Sequence, residues 1–161
     1  MRTKTLLTLA LSFAAGAAWA QGMPLTLRDA SASTADDWAK AAPLLKAAIE
    51  CRTALTATPA VRAVFKATND ALDGDHTLPE PLTVFGSLKT MGVSIFLGGE
   101  DEGSSYTVKP EGVTLPQVVK AANLKKDGPR YIRKVRDGII EASEPRPGEV
   151  QIACIRGGGA Q

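Results

Sequence analysis

The chain has 161 residues, 22% of them charged, with 19 basic side chains against 17 acidic and only two cysteines. This composition fits one ordinary globular domain and excludes a low-complexity chain or a disulfide-dense scaffold. After the N-terminus no apolar run approaches the roughly 20 residues a membrane-crossing helix needs.

The N-terminus reads as a cleavable export signal. Arg2 and Lys4 precede an apolar run from Leu6 to Ala18, and Ala18-Trp19-Ala20 has the small-x-small pattern of a cleavage site. We place the cut after Ala20, so residues 1–20 are removed and the protein is expected to be periplasmic or secreted. Arg2 and Lys4 are two of the 19 basic residues, so residues 21–161 carry 17 basic and 17 acidic side chains and no net charge. A neutral chain gives no electrostatic case for nucleic acid.

Residues 21–33 read as an extended arm, followed by a single α+β domain over 34–156 and a disordered tail over 157–161. Ser33 or Thr34 can cap the first helix, with Asp36 and Asp37 in its first turn. Trp38, Ala41, Leu45, Ala48, Arg52 and Leu55 share one helical face. An overlapping stripe through Leu44, Ala48, Cys51 and Leu55 turns Cys51 inward. Pro43 is expected to kink this helix or start a new one. Thr58-Pro59 opens a second helix, with Asp73-Gly74 expected to stop it.

Beyond Pro79 and Pro81 the period becomes two. Leu82, Val84 and Leu88 form one alternating run, Val93, Ile95 and Leu97 a second, and Tyr106 and Val108 a third. Leu115-Pro116 opens a third helix, expected to end at Asp127-Gly128. Strands follow at Tyr131–Arg136, Gly138–Ala142 and Glu149–Ile155. The predicted order is α-α-β-β-β-α-β-β-β, with helices packed on an antiparallel sheet.

Residues 64–74 and 118–128 match at six of 11 positions, among them Asn69/Asn123, Asp73/Asp127 and Gly74/Gly128. The match reads either as two copies of one helix-plus-three-strand unit or as convergence on Asp-Gly as a way to leave a helix. If the units are copies, their strand orders agree.

In an oxidising compartment Cys51 and Cys154 are expected to form a disulfide between the first helix and the last strand. No CxxC pair, nucleophile motif or phosphate loop is present. No cofactor and no metal are expected. The acidic residues Asp70, Asp73, Asp75 and Glu80 do not fit an EF-hand loop, because the position that needs a bidentate Glu is Pro81. His76 is the sole histidine, and Asp75 is the neighbour that could orient it if the chain were a small envelope hydrolase.

Two charge clusters stand out. Glu100-Asp101-Glu102 occupies a predicted hairpin tip. Lys120, Lys125, Lys126, Arg130, Arg133, Lys134 and Arg136 place seven cations within 17 residues, opposed only by Asp127. Cations on both faces of the strand from Tyr131 suit an edge strand guarded against aggregation, or a docking patch for an anionic partner. The function expected from these features is a periplasmic protein-binding or inhibitor-like module. Its partner would be a protein of the cell envelope, met through the acidic tip or the basic edge. The alternatives are the His76 hydrolase and a structural envelope component without a discrete site.

Overall fold

A computed structural model describes residues 27–66, 72–98 and 102–157. The export signal, the first part of the arm, the 158–161 tail, Asp70, Glu100 and Asp101 lie outside the described residues. The architecture is α+β: helices α1 (Leu27–Ile49), α2 (Pro59–Phe65) and α3 (Leu115–Ala122) accompany seven strands. These are β1 (Gly74–Val84), β2 (Leu88–Leu97), β3 (Ser104–Val108), β4 (Lys125–Asp127), β5 (Arg130–Val135), β6 (Gly138–Arg146) and β7 (Glu149–Arg156).

The stripe in α1 forms as its spacing predicts. Trp38, Ala41, Leu45, Ala48 and Ile49 are buried, while Asp36 and Lys40 on the opposite side pair at 2.6 Å in solvent. Two expectations change here. Residues 27–33 are helical rather than extended. Pro43 sits inside α1 without breaking it. Pro43 and Ala39, whose carbonyl loses its amide partner, are both exposed residues, so the missing bond falls on the solvent side of the helix rather than in the core.

α1 ends in a Schellman motif. The Cys51 N–H donates to Ala48 O at 3.0 Å and the Arg52 N–H to Ala47 O at 2.8 Å. Cys51 takes the left-handed position of that motif, with φ 60°. The exit turns its side chain inward to Cys154 of β7, at a Cα–Cα distance of 5.3 Å. Arg52 leaves the shared face and is exposed, whereas Leu55 stays buried.

α2 begins as predicted, with the Thr58 hydroxyl accepting from the Val61 N–H at 3.3 Å. Neither Asp-Gly pair ends a helix. α2 stops at a left-handed Lys66 and α3 at a left-handed Asn123. Gly74 opens β1, and Gly128 lies in the turn between β4 and β5.

The seven strands form one antiparallel sheet in the order β1-β2-β3-β7-β6-β5-β4. β1 is longer than the alternation suggested: it starts at Gly74 and carries both Pro79 and Pro81 across a bulge between Thr77 and Leu82. A strand tolerates prolines there because β1 is a sheet edge and needs donors on one side only. The run Leu82, Val84 and Leu88 is divided between β1 and β2, with Val84 opposite Leu88 across the turn. The added strand β4 is three residues long and forms the other edge.

One face of the sheet carries the core. Val84, Leu88, Val93, Ile95, Tyr106, Val108, Ile140, Ala142, Ile152 and Cys154 are all buried. α1 lies against β1, β3 and β7, and α3 lies over β6. The Tyr106 hydroxyl accepts the Leu55 N–H at 3.0 Å, and Glu50 accepts the Phe85 N–H at 2.7 Å. These bonds tie the end of α1 and its exit to the sheet.

Read from each edge inward, the sheet is β1-β2-β3 and β4-β5-β6-β7, meeting where β3 pairs with β7. Each half follows a short helix and ends on its innermost strand, but one half has three strands and the other four, where three were expected in each. The matched residues do not occupy matching places either. Lys66 caps α2 whereas its counterpart Lys120 lies inside α3, and Gly74 is in a strand whereas Gly128 is in a turn.

Candidate functional site: the open face and basic edge of the sheet

Side chains alternate across a strand, so each buried residue has neighbours directed to the other face. Among the described residues no helix covers that face. The pairing registers align its side chains in rows. One row runs Phe96, Ser105, Ile155, Ile139, Lys134 across β2, β3, β7, β6 and β5. The next runs Asp75, Ser94, Thr107, Ala153, Glu141, Ile132, Lys125 across all seven strands.

The first row holds all three large apolar side chains that are well exposed among the described residues: Phe96 at 49%, Ile155 at 40% and Ile139 at 36%. With strands about 4.8 Å apart, Phe96 and Ile139 are about 14 Å apart and Lys134 is one strand further on. Scattered exposed apolar residues are normal at a protein surface. Three on one row form a strip.

These residues are not among the candidates that the charge and motif patterns single out, although the sequence carries a signal for them. Ile95-Phe96-Leu97, Ile139-Ile140 and Cys154-Ile155 each break the alternation with consecutive apolar residues. In a strand with one wet face, such a run places an apolar group on that face.

The basic cluster is gathered at the β4 edge. Lys125 and Lys126 are on β4, Arg130, Arg133 and Lys134 on β5, and Arg136 in the turn that follows. β5 is not itself the edge, because β4 shields its first half. Arg130 pairs with Glu141 at 2.9 Å and Arg136 contacts Asp137 at 3.9 Å. Among the described residues no carboxylate lies within ion-pair reach of Lys125, Lys126, Arg133 or Lys134. Away from this edge the charges are better balanced. Lys109 and Glu149 pair at 2.5 Å, and that ammonium, with Arg146 adding a smaller effect, holds the Glu149 carboxyl below the usual carboxylate range. Of the acidic tip, Glu102 is described and exposed.

His76 belongs to the core side. Its ring centroid is 4.4 Å from that of Phe65, and Nε2 lies 2.8 Å from Leu72 O, so that nitrogen carries a proton and donates. His76 is opposite the buried Val93 whereas Asp75 is opposite the exposed Ser94. Adjacent residues of a strand point to opposite faces, so Asp75 does not orient the ring. Asp73 instead accepts from the Leu97 N–H. Among the described residues no three His, Cys, Asp or Glu side chains are grouped to hold a metal ion, and no helix is long and apolar enough to cross a membrane.

Comparison with known proteins gave no match: no protein family, curated protein or solved structure resembles this chain closely enough to be matched.

Proposed function

We propose that this protein is an exported binding module of the cell envelope that acts by protein–protein contact through the open face of its sheet. The observation that carries this reading is the alignment of Phe96, Ile155 and Ile139 on one row that ends in an unpaired Lys134. Interfaces combine a central apolar anchor with a polar rim, and this row has that composition. The disulfide between Cys51 and Cys154 supports an oxidising compartment. Export with cleavage after Ala20 completes the reading.

The test is a double substitution, Phe96→Ser with Ile155→Ser. Both side chains are exposed, so the fold should be retained, as circular dichroism would confirm. The wild-type chain, crosslinked in envelope preparations, should yield discrete protein adducts that the double variant loses. Identical adducts in identical yield from both proteins would refute the role of this face.

A further inference from the structure

The two outermost strands differ in length. β4 pairs Lys125, Lys126 and Asp127 with Ile132, Tyr131 and Arg130, whereas β5 continues to Val135. Upstream of Lys125 the chain leaves the sheet for α3 through Asn123 and Leu124. Arg133, Lys134 and Val135 are therefore held by β6 on one side and by no described strand on the other. Arg136 and Asp137 form a two-residue turn that closes with Val135 opposite Gly138. In an antiparallel ladder both backbone groups of a residue face the same neighbour, and alternate residues face opposite neighbours. Val135 and Arg133 thus bond β6, and Lys134 turns its N–H and C=O to the vacant side.

A cavity of about 430 Å³ occupies this notch, lined by Asn123, Lys125, Lys126, Arg133 and Lys134 among others. Arg133 is opposite the fully buried Ile140, and its Nε is sealed from solvent with no acceptor. A buried donor left without an acceptor is unfavourable, so a segment whose seating turns the half-buried Arg133 guanidinium onto a carboxylate gains what the free protein lacks. The cations flank the notch on both faces of the sheet. Lys125 and Lys134 share the open face. Lys126, opposite the core-packed Tyr131, and Arg133 share the helix side.

We infer that this notch is a strand-addition site for an extended acidic peptide segment of a partner protein. The segment would lie in line with β4, bond the Lys134 backbone, and direct carboxylates to Lys125 and Lys134 on one face and to Lys126 and Arg133 on the other. An unpaired edge supplies main-chain affinity, and the flanking charges select the side chains. This inference rests on the reading as a binding module, but it uses a different surface from the apolar row.

The test uses the chain from Gln21 onward and a fluorescein-labelled hexapeptide of glutamate, whose alternate side chains reach both faces of the sheet, followed by anisotropy at low salt. The all-Gln counterpart should bind at least about tenfold more weakly, as should the Glu peptide to Lys125→Glu/Lys126→Glu, whose two side chains are exposed and carry no packing. Arg133→Met should give a similar loss. If that variant misfolds, the surface double variant still decides the matter. Hydrogen exchange should show the Lys134 amide slowed on peptide binding. Phe96→Ser/Ile155→Ser should bind the peptide unchanged, which separates this site from the open face. Equal binding of the Glu and Gln peptides, an unprotected Lys134 amide, or full displacement of the peptide by equimolar inorganic phosphate would each overturn the inference.

Discussion

Cys51 does two jobs with one backbone conformation. A left-handed residue ends α1, and for a non-glycine residue that conformation costs roughly 1–2 kcal/mol. The same conformation aims Sγ at Cys154, so the strain is offset by the crosslink. Replacing both cysteines with alanine should lower stability by about 2–5 kcal/mol in urea denaturation, because the bridge closes a long loop in the unfolded chain. Tyr106 is a second such residue. Tyr106→Phe leaves the buried Leu55 N–H without its acceptor and should cost about 1–3 kcal/mol with an unchanged denaturant slope. At the surface, Lys109→Met should raise the Glu149 pKa toward the ordinary carboxylate value, measured by NMR titration. Because the folded pKa is depressed, the pair's contribution is present above the unfolded carboxylate pKa and is lost as pH falls through the folded one. The stability difference between wild type and Lys109→Met should therefore vanish in acid. Inward direction was legible for Cys51 and Cys154 from their stripes. The side of the sheet taken by His76 was not, because it depends on a register set by the partner strand.

At the scale of elements, local chemistry and tertiary context contributed unequally. Two helix starts were legible, since Thr58-Pro59 and Leu115-Pro116 open α2 and α3, whereas Ser33 and Thr34, expected to cap the first helix, lie inside α1. Thr58→Ala should destabilise by about 1 kcal/mol in thermal melts, from loss of the bond to Val61. The helix ends were misplaced because Asn123 and Lys66 adopt the left-handed conformation that glycine was expected to supply. Asp-Gly pairs serve turns and strand starts equally well, so their chemistry alone does not choose between them. The prolines misled in a related way. Pro79 and Pro81 look like strand breakers until β1 is known to be an edge, and Pro43 looks like a helix breaker until its exposed setting is known. The open-face row was invisible for a further reason: alternation assigns each residue to a face, but only pairing brings Phe96, Ile155 and Ile139 into line across three different strands.

At the scale of the whole molecule, both edges of the sheet are blunted, one by prolines and a bulge and the other by a three-residue strand rich in lysine. Such edges resist indiscriminate pairing. Among the described residues, one wide face and one short notch remain uncovered. On the proposed export and cleavage, mass spectrometry of the mature protein should find Gln21 as its first residue.

The position of β7 has a kinetic meaning. It follows the other six strands in the chain, yet it lies between β3 and β6, so β1–β3 and β4–β6 are joined into one sheet only when β7 arrives. Contacts of such long sequence separation form late and slowly. A chain emerging residue by residue has no complete sheet to close upon, and assembly is deferred until the central strand has been delivered. On the export route proposed above, that delay would keep the chain open for passage across a membrane, and the Cys51–Cys154 bridge would then lock the centre.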